Sequence, residues 1–497
     1  MDPASIEPGP GAAAEPASSP GAGAQAESRS AAGAVPRWAW GAFGLLCAMH
    51  LLDTAQRWLL TAVLPRVAQE LKLTATQAEW LSTVTLLGFA AGGPPLGYLA
   101  DRLRRPRLLA LSFALGSLAT VGSGLARSYD QLQVLRVLVG IGGAGFLCIA
   151  LSILMDLFPR AIRGRVLAGF FLAVPPGAAL GMILGRALGE TASWQTAFLA
   201  VGAPGLLLAL LALALPEPVR GSSEGVDVLR LRVHEHVGPS REDYLDLMVN
   251  SSYTYSVFGL AFASFAIAGL VYWLPTFLTS VQGLPAAQVD RALATTLLAA
   301  AVLGIAAGGG LADHFAATRP RALFLMPGLA MFGAIACVVV VIYRHGAAAI
   351  YGGTFLAVGL IALNLGPCYA ILSRVVMPTM RAVACAAAVS AAHLLGDLWS
   401  PTLMGWVIDT FGQADSMATG FGRALAALGA VPVVLHGRDP ENLTAGMLVV
   451  VPALVIAGAV LLAGARHLPR EMALMLAKLR AAPARGGTLP PGAAPTA

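Results

Sequence analysis

A chain of 497 residues that is 57% hydrophobic and only 12% charged, with a mean hydropathy of +0.74, is far from the balance of a water-soluble domain. Its formal charge of +6 and pI near 9.3 do not point to nucleic acid, because the arginines fall in short turns between apolar runs, where they set membrane orientation. The five cysteines, Cys47, Cys148, Cys337, Cys368 and Cys385, all lie inside apolar runs, without disulfide or metal spacing, so no metal and no cofactor are expected.

In chain order, residues 1–36 are rich in Ala, Gly, Pro, Ser and Glu and read as a disordered tail rather than a signal peptide. Six apolar segments follow, near 38–64, 77–100, 108–126, 131–157, 165–188 and 196–215. A polar linker, 216–252, comes next. Within it, Ser240 and Asp243 form a capping-box pattern that predicts a short helix through Met248 along the membrane surface. Six more segments lie near 253–280, 291–312, 322–343, 348–373, 382–408 and 445–466, and 468–497 reads as a second tail. The expected fold is therefore all-α and integral to a membrane, with twelve spans in two halves of six, 37–215 and 253–467. The turn at 101–107 holds four Arg and that at 158–165 holds Arg160, Arg163 and Arg165, whereas the alternate turns are balanced or bare. That bias places both termini and the linker in the cytoplasm and the 411–443 loop outside. The Asn442-Leu-Thr444 glycosylation pattern at the end of that loop is too close to the membrane to be used.

Glycines recur at helical spacing, as Gly88, Gly92 and Gly93 before Pro94 and Pro95, as Gly177, Gly181 and Gly185, and as Gly304 and Gly308. This is the pattern of close helix packing, with a gating role for single glycines as the alternative, and Pro175-Pro176 adds a kink. Charges inside spans are the sharper signal, since each costs a few kcal/mol unless paired or facing water. His50, Asp53 and Arg57 share one face of the first span, Arg136 lies in the fourth, Asn364 stands beside Gly366-Pro367 in the tenth, and His393 and Asp397 are one turn apart in the eleventh. Each has a plainer structural alternative, a neutralised pair or a bond to backbone. Taken together, acid, imidazole and guanidinium groups on facing helices suit an anionic or zwitterionic solute, with protons as a candidate coupling ion.

The segment Gly97-Tyr-Leu-Ala-Asp101-Arg102 between the second and third spans recurs in the second half as Gly309-Gly-Leu-Ala-Asp313, with His314 in the place of the Arg. With twelve spans and a central linker, this resembles the major facilitator superfamily. The resemblance implies that Gly97, Asp101, Arg102, Gly309 and Asp313 form a latch between the halves, the second copy being the weaker. Arg57-Trp58 with Val63-Leu64-Pro65, Arg136-Val-Leu-Val-Gly140-Ile-Gly142, and His393-Leu-Leu-Gly-Asp397-Leu-Trp-Ser-Pro401 resemble the spinster branch of lipid and lysolipid transporters. Two positions depart from it: Gln56 stands where the branch usually has Asp, and Gly143 where it usually has Glu. Asp53 can substitute for the first, and nothing nearby replaces the second.

The expectation is an alternating-access transporter in the cell membrane, not an enzyme. It would act as a monomer on a lysophospholipid or sphingoid lipid held by His50, Asp53, Gln56, Arg57, Arg136, Asn364, His393 and Asp397. Export or import of small organic anions or drugs is the alternative. A non-transporting sensor or partner-binding protein is the reading of another class.

Overall fold

The computed structural model describes residues 35–224, 239–316, 318–434 and 440–481. Of the expected tails at 1–36 and 468–497, residues 1–34 and 482–497 lie outside these residues. Among those described, one isolated bridge between Val433 and Glu441 is all the β structure, and the remainder is helices and turns.

The first half contains α1 (Arg37–Glu70), α2 (Ala75–Ala100), α3 (Arg105–Ser123), α4 (Tyr129–Leu157), α5 (Arg163–Thr191) and α6 (Trp194–Ala212). The linker helix α7 (Arg241–Val249) opens on the reciprocal Ser240–Asp243 capping box. The second half follows as α8 (Ser251–Ser280), α9 (Ala286–Ala316), α10 (Ala322–Tyr343), α11 (Ala347–Val375), α12 (Pro378–Thr410) and α13 (Leu443–Gly464). A further helix, α14 (Leu468–Arg480), lies in what composition presents only as a tail.

Nine of the described helices are long and apolar enough to cross a bilayer on composition alone. The other three, α1, α2 and α3, are diluted by charge, by Gly and Pro, or by a basic start. At 34, 26 and 19 residues they still match the roughly 20 residues that a bilayer core requires. The helix α1 runs through Pro65 and ends later than the apolar run does. The loop after α12 holds two short helices, Ala414–Met417 and Gly420–Ala427.

Lipid tails are as apolar as Leu, so side chains such as Leu111, Leu118, Ile183 and Leu210 face outward, and burial by itself does not order the bundle. Close backbone approach does. A Cβ on Gly92 of α2 would lie 2.9 Å from Ile141 Cα of α4, and one on Gly185 of α5 would lie 2.7 Å from Ala62 Cβ of α1. Gly304 and Gly308 of α9 meet the backbone of α11 in the same way.

Breaks fall where the sequence removes hydrogen-bond donors. Helix α5 is interrupted between Phe171 and Val174, just before Pro175-Pro176, and α11 between Ala362 and Leu365, just before Pro367. Across the two halves, α2 packs on α12 and α9 packs on α5. Thus the second helix of each half meets the fifth helix of the other.

Candidate functional site

Two clusters of charge join the halves, one near mid-membrane and one at the end that carries the basic turns and the linker. In the first, Arg57 Nη2 lies 3.0 Å from Asp53 Oδ2 one turn earlier on α1, with the guanidinium 5.2 Å from the centre of the Phe89 ring of α2. Phe89 in turn meets His393 of α12 edge to face at 4.7 Å, and His393 Nδ1 lies 2.6 Å from Asp397 Oδ2. The π-helical turn Ala392–Asp397 carries both of these residues. Single π turns widen a helix and are frequent at functional sites. A chain of contacts, Asp53–Arg57–Phe89–His393–Asp397, therefore crosses from one half to the other. Arg57, His393 and Asp397 keep 18%, 16% and 25% side-chain exposure, enough to meet a solute.

The other expected site residues sit on neighbours of their own. His50 stacks on Phe170 at 4.3 Å, with Nδ1 3.1 Å from the Phe170 carbonyl. Gln56 turns to α3, where its amide donates to Ser117 and its carbonyl accepts from Thr120. Arg136 is fully buried and donates to Ser123 while lying 5.0 Å from the Phe198 ring; its Nε and Nη1 have no hydrogen-bond partner. Asn364 donates to Ile361 O at the α11 break, leaving Oδ1 without a partner.

At the basic end the repeated motif forms two matching contacts. Asp101 accepts from the N–H groups of Ala382 and Val383, 3.0 and 3.1 Å away, at the start of the α-helical part of α12. Asp313 accepts from Gly164 N–H at 2.7 Å and Arg165 N–H at 2.8 Å, at the start of α5, and pairs with the Arg165 side chain. Neither of those helix starts is capped by a side chain of its own N-cap residue. Each is capped by a carboxylate from the opposite half, which satisfies orphan donors and meets the positive end of the helix dipole. With Arg165 beside it, Asp313 has the partner that His314 does not supply.

Gly97 and Gly309 make these contacts possible. A Cβ at Gly97 would lie 2.8 Å from Val383 Cα, and one at Gly309 would lie 2.8 Å from Gly164 O. Arg102, expected in the latch, instead lies over Tyr98 at 3.7 Å and donates to Tyr244 OH and Pro239 O, so it holds the linker helix.

Sequence reasoning did not find the ion-pair network beside these caps. Arg105 binds Asp156 at 2.5 Å and Glu217 at 2.7 Å, while Arg381 of α12 binds Asp156 at 2.7 Å and also Glu224. Glu224 further pairs with Arg160 and with Arg163, the latter at 2.9 Å. Burial works to raise the Glu224 carboxyl, but Arg163, Arg381 and Arg160 outweigh it and hold it well below the usual carboxylate range. In the sequence Arg105, Arg160 and Arg163 read as orientation signals. The Pro-Glu-Pro at 216–218 and the lone acid ending α4, Asp156, are the signals that could have drawn attention to their partners.

Residues 46–401 match the Major Facilitator Superfamily. Sphingosine-1-phosphate transporter SPNS2 of Xenopus tropicalis is 30% identical over 396 residues, covering 76% of this chain and 75% of that protein. The chain belongs to the spinster branch of the major facilitator superfamily. Protein spinster homolog 3 of Danio rerio is 29% identical over 394 residues, 76% of this chain and 78% of its own. The crystal structure of a bacterial homologue of the human lysosomal transporter Spinster, inward-facing and unoccupied, shares the fold, with a TM-score of 0.59 at 22% identity over 88% of this chain and 99% of that one. This spinster-type chain is thus a multi-pass membrane transporter of a small-molecule or lipid substrate, and its family consists of transporters, not enzymes.

Proposed function

We propose that the protein moves an amphipathic anionic or zwitterionic lipid, a lysophospholipid or sphingoid lipid, across the cell membrane by alternating access. The observation that supports this reading is the charged chain Asp53–Arg57–Phe89–His393–Asp397, set where the halves meet. Arg57 offers a guanidinium to a phosphate or carboxylate, and the Asp53 carboxylate holds it when the site is empty. His393 and Asp397 receive the polar group from the other half, with protons as coupling ion. The relative named as a sphingosine-1-phosphate transporter fits that headgroup chemistry.

The end bearing Asp101, Asp313 and the Glu224 network faces the cytoplasm, as do both termini, following the arginine bias of its turns. Its closure is held by Gly97, Asp101, Gly309 and Asp313 as the latch.

The test is flux of labelled lysophospholipid in proteoliposomes, with and without a pH gradient, for the wild type and Arg57→Ala. A loss of tenfold or more in Arg57→Ala is expected, as removing a charge-assisted contact of about 1.5–3 kcal/mol implies. Flux indifferent to Arg57 would overturn the assignment of the site. Movement of small organic anions or dyes in place of lysolipid would overturn the substrate class.

A further inference from the structure

Gly143 of α4 points its missing side chain at the Asp53 carboxylate. A Cβ built there would lie 2.7 Å from Asp53 Oδ1 and 3.5 Å from Asp53 Cγ, with Phe89 Cε2 next at 3.3 Å. The carboxylate is buried, and its other oxygen, Oδ2, faces Arg57 at 3.0 Å. One oxygen thus serves the cation of α1 and the other fills the side-chain space of α4.

From this we infer that Asp53 and Gly143 are two halves of a single acid site, with Gly143 as the positioning residue that seats the carboxylate against Arg57. The space between α1, α2 and α4 holds one carboxylate and no more. In this chain it enters from α1, and α4 gives up its side chain to admit it.

The physical reason is reach. An Asp side chain has two rotatable bonds, so a methyl group inside its contact distance displaces the carboxylate instead of the helices. Displaced, it leaves Arg57, whose Nε already has no hydrogen-bond partner, without its acid. While Asp53 is in place, a side chain at position 143 therefore acts on Arg57 through it. The same geometry predicts that the carboxylate can be supplied from either helix, provided the other position is emptied.

The consequence for flux rests on the transport reading above, but the pairing is measurable in thermal stability alone. In purified full-length protein, Gly143→Ala is expected to lower Tm by about 2–5 °C. In an Asp53→Ala background the same substitution should leave Tm unchanged or raise it, because the space has been vacated.

Moving the acid gives the sharper readout. In Asp53→Ala/Gly143→Asp, Arg57→Ala should lower Tm as it does in the wild type, whereas in Asp53→Ala alone it should raise Tm by removing an unpaired cation. Equal costs of Gly143→Ala with and without the Asp53 carboxylate would overturn the inference. So would an Arg57→Ala effect that ignores where the acid is placed. Should Gly143→Ala alone fail to fold, its recovery by Asp53→Ala supports the pairing and its failure to recover refutes it. Lysolipid flux that survives Arg57→Ala would overturn the assignment of the transport site to Arg57, with the thermal cycle still deciding this one.

Discussion

Glu224 illustrates how much a single residue can carry at the basic end. Its carboxylate has no side-chain exposure and meets Arg160, Arg163 and Arg381, two from the first half and one from the second. Removing one partner of a buried pair leaves the other charges uncompensated, so Glu224→Gln should cost about 3–5 kcal/mol of the closed arrangement. It would be measured as a fall in Tm relative to wild type. The pH behaviour follows from the sign of the shift. A carboxyl held below its ordinary value of 4.5 contributes its stabilisation at every pH above that value. The contribution is lost only as pH falls through the depressed value. The difference in Tm between wild type and Glu224→Gln should therefore stay constant from pH 8 to pH 5. A difference that shrinks over that range would refute the three-guanidinium account.

Elements meet through glycine where they must meet backbone to backbone. The α2–α12 and α9–α5 crossings depend on Gly97 and Gly309, since a methyl group at either would strike backbone atoms that cannot swing aside. Gly97→Ala or Gly309→Ala should each destabilise its crossing by about 1–3 kcal/mol, the range for overpacking. Gly44 has open space around its Cβ position, so Gly44→Ala serves as the control and should gain slightly from helix propensity. Tm measurements on the three variants decide this, and a Gly97→Ala protein as stable as Gly44→Ala would contradict the crossing geometry. The recurrence of the Gly-x-Leu-Ala-Asp motif was legible because it is a local string. That each Asp caps a helix start in the opposite half was not, because nothing near Ala382 or Gly164 in sequence marks a missing cap.

For the whole molecule the question is how the halves separate. Both trans caps and the Arg381 bonds to Asp156 and Glu224 lie at one end and cross between the halves, so opening there must break the caps and leave Arg381 without those partners. Neutralising both caps with Asp101→Asn/Asp313→Asn should bias the protein toward the arrangement open at that end. Cys385, only 1% exposed and one turn beyond Ala382 on α12, reports such opening. Its labelling by a small thiol reagent, followed by peptide mass spectrometry, should accelerate at least several-fold in the double variant. An unchanged rate would mean that the caps do not hold the halves together.

Composition and period by themselves determined the solvent and the class. Runs of about 20 apolar residues, a repeated basic turn and an acid-bearing face in the first span are local patterns, and they led to a twelve-span, two-half membrane protein with Asp53 and Arg57 as a pair, while the transporter reading rested on the resemblance to a known superfamily. What they could not decide was which groups meet from distant parts of the chain. Asp101 and Ala382 are 281 residues apart, and Arg381 and Glu224 are 157 apart. Such contacts are chosen by how the halves pack, which no sequence window contains. Gly143 shows the difference at its smallest scale. In the sequence it is an absent acid. Packed against Asp53, it is the space in which an acid from another helix sits.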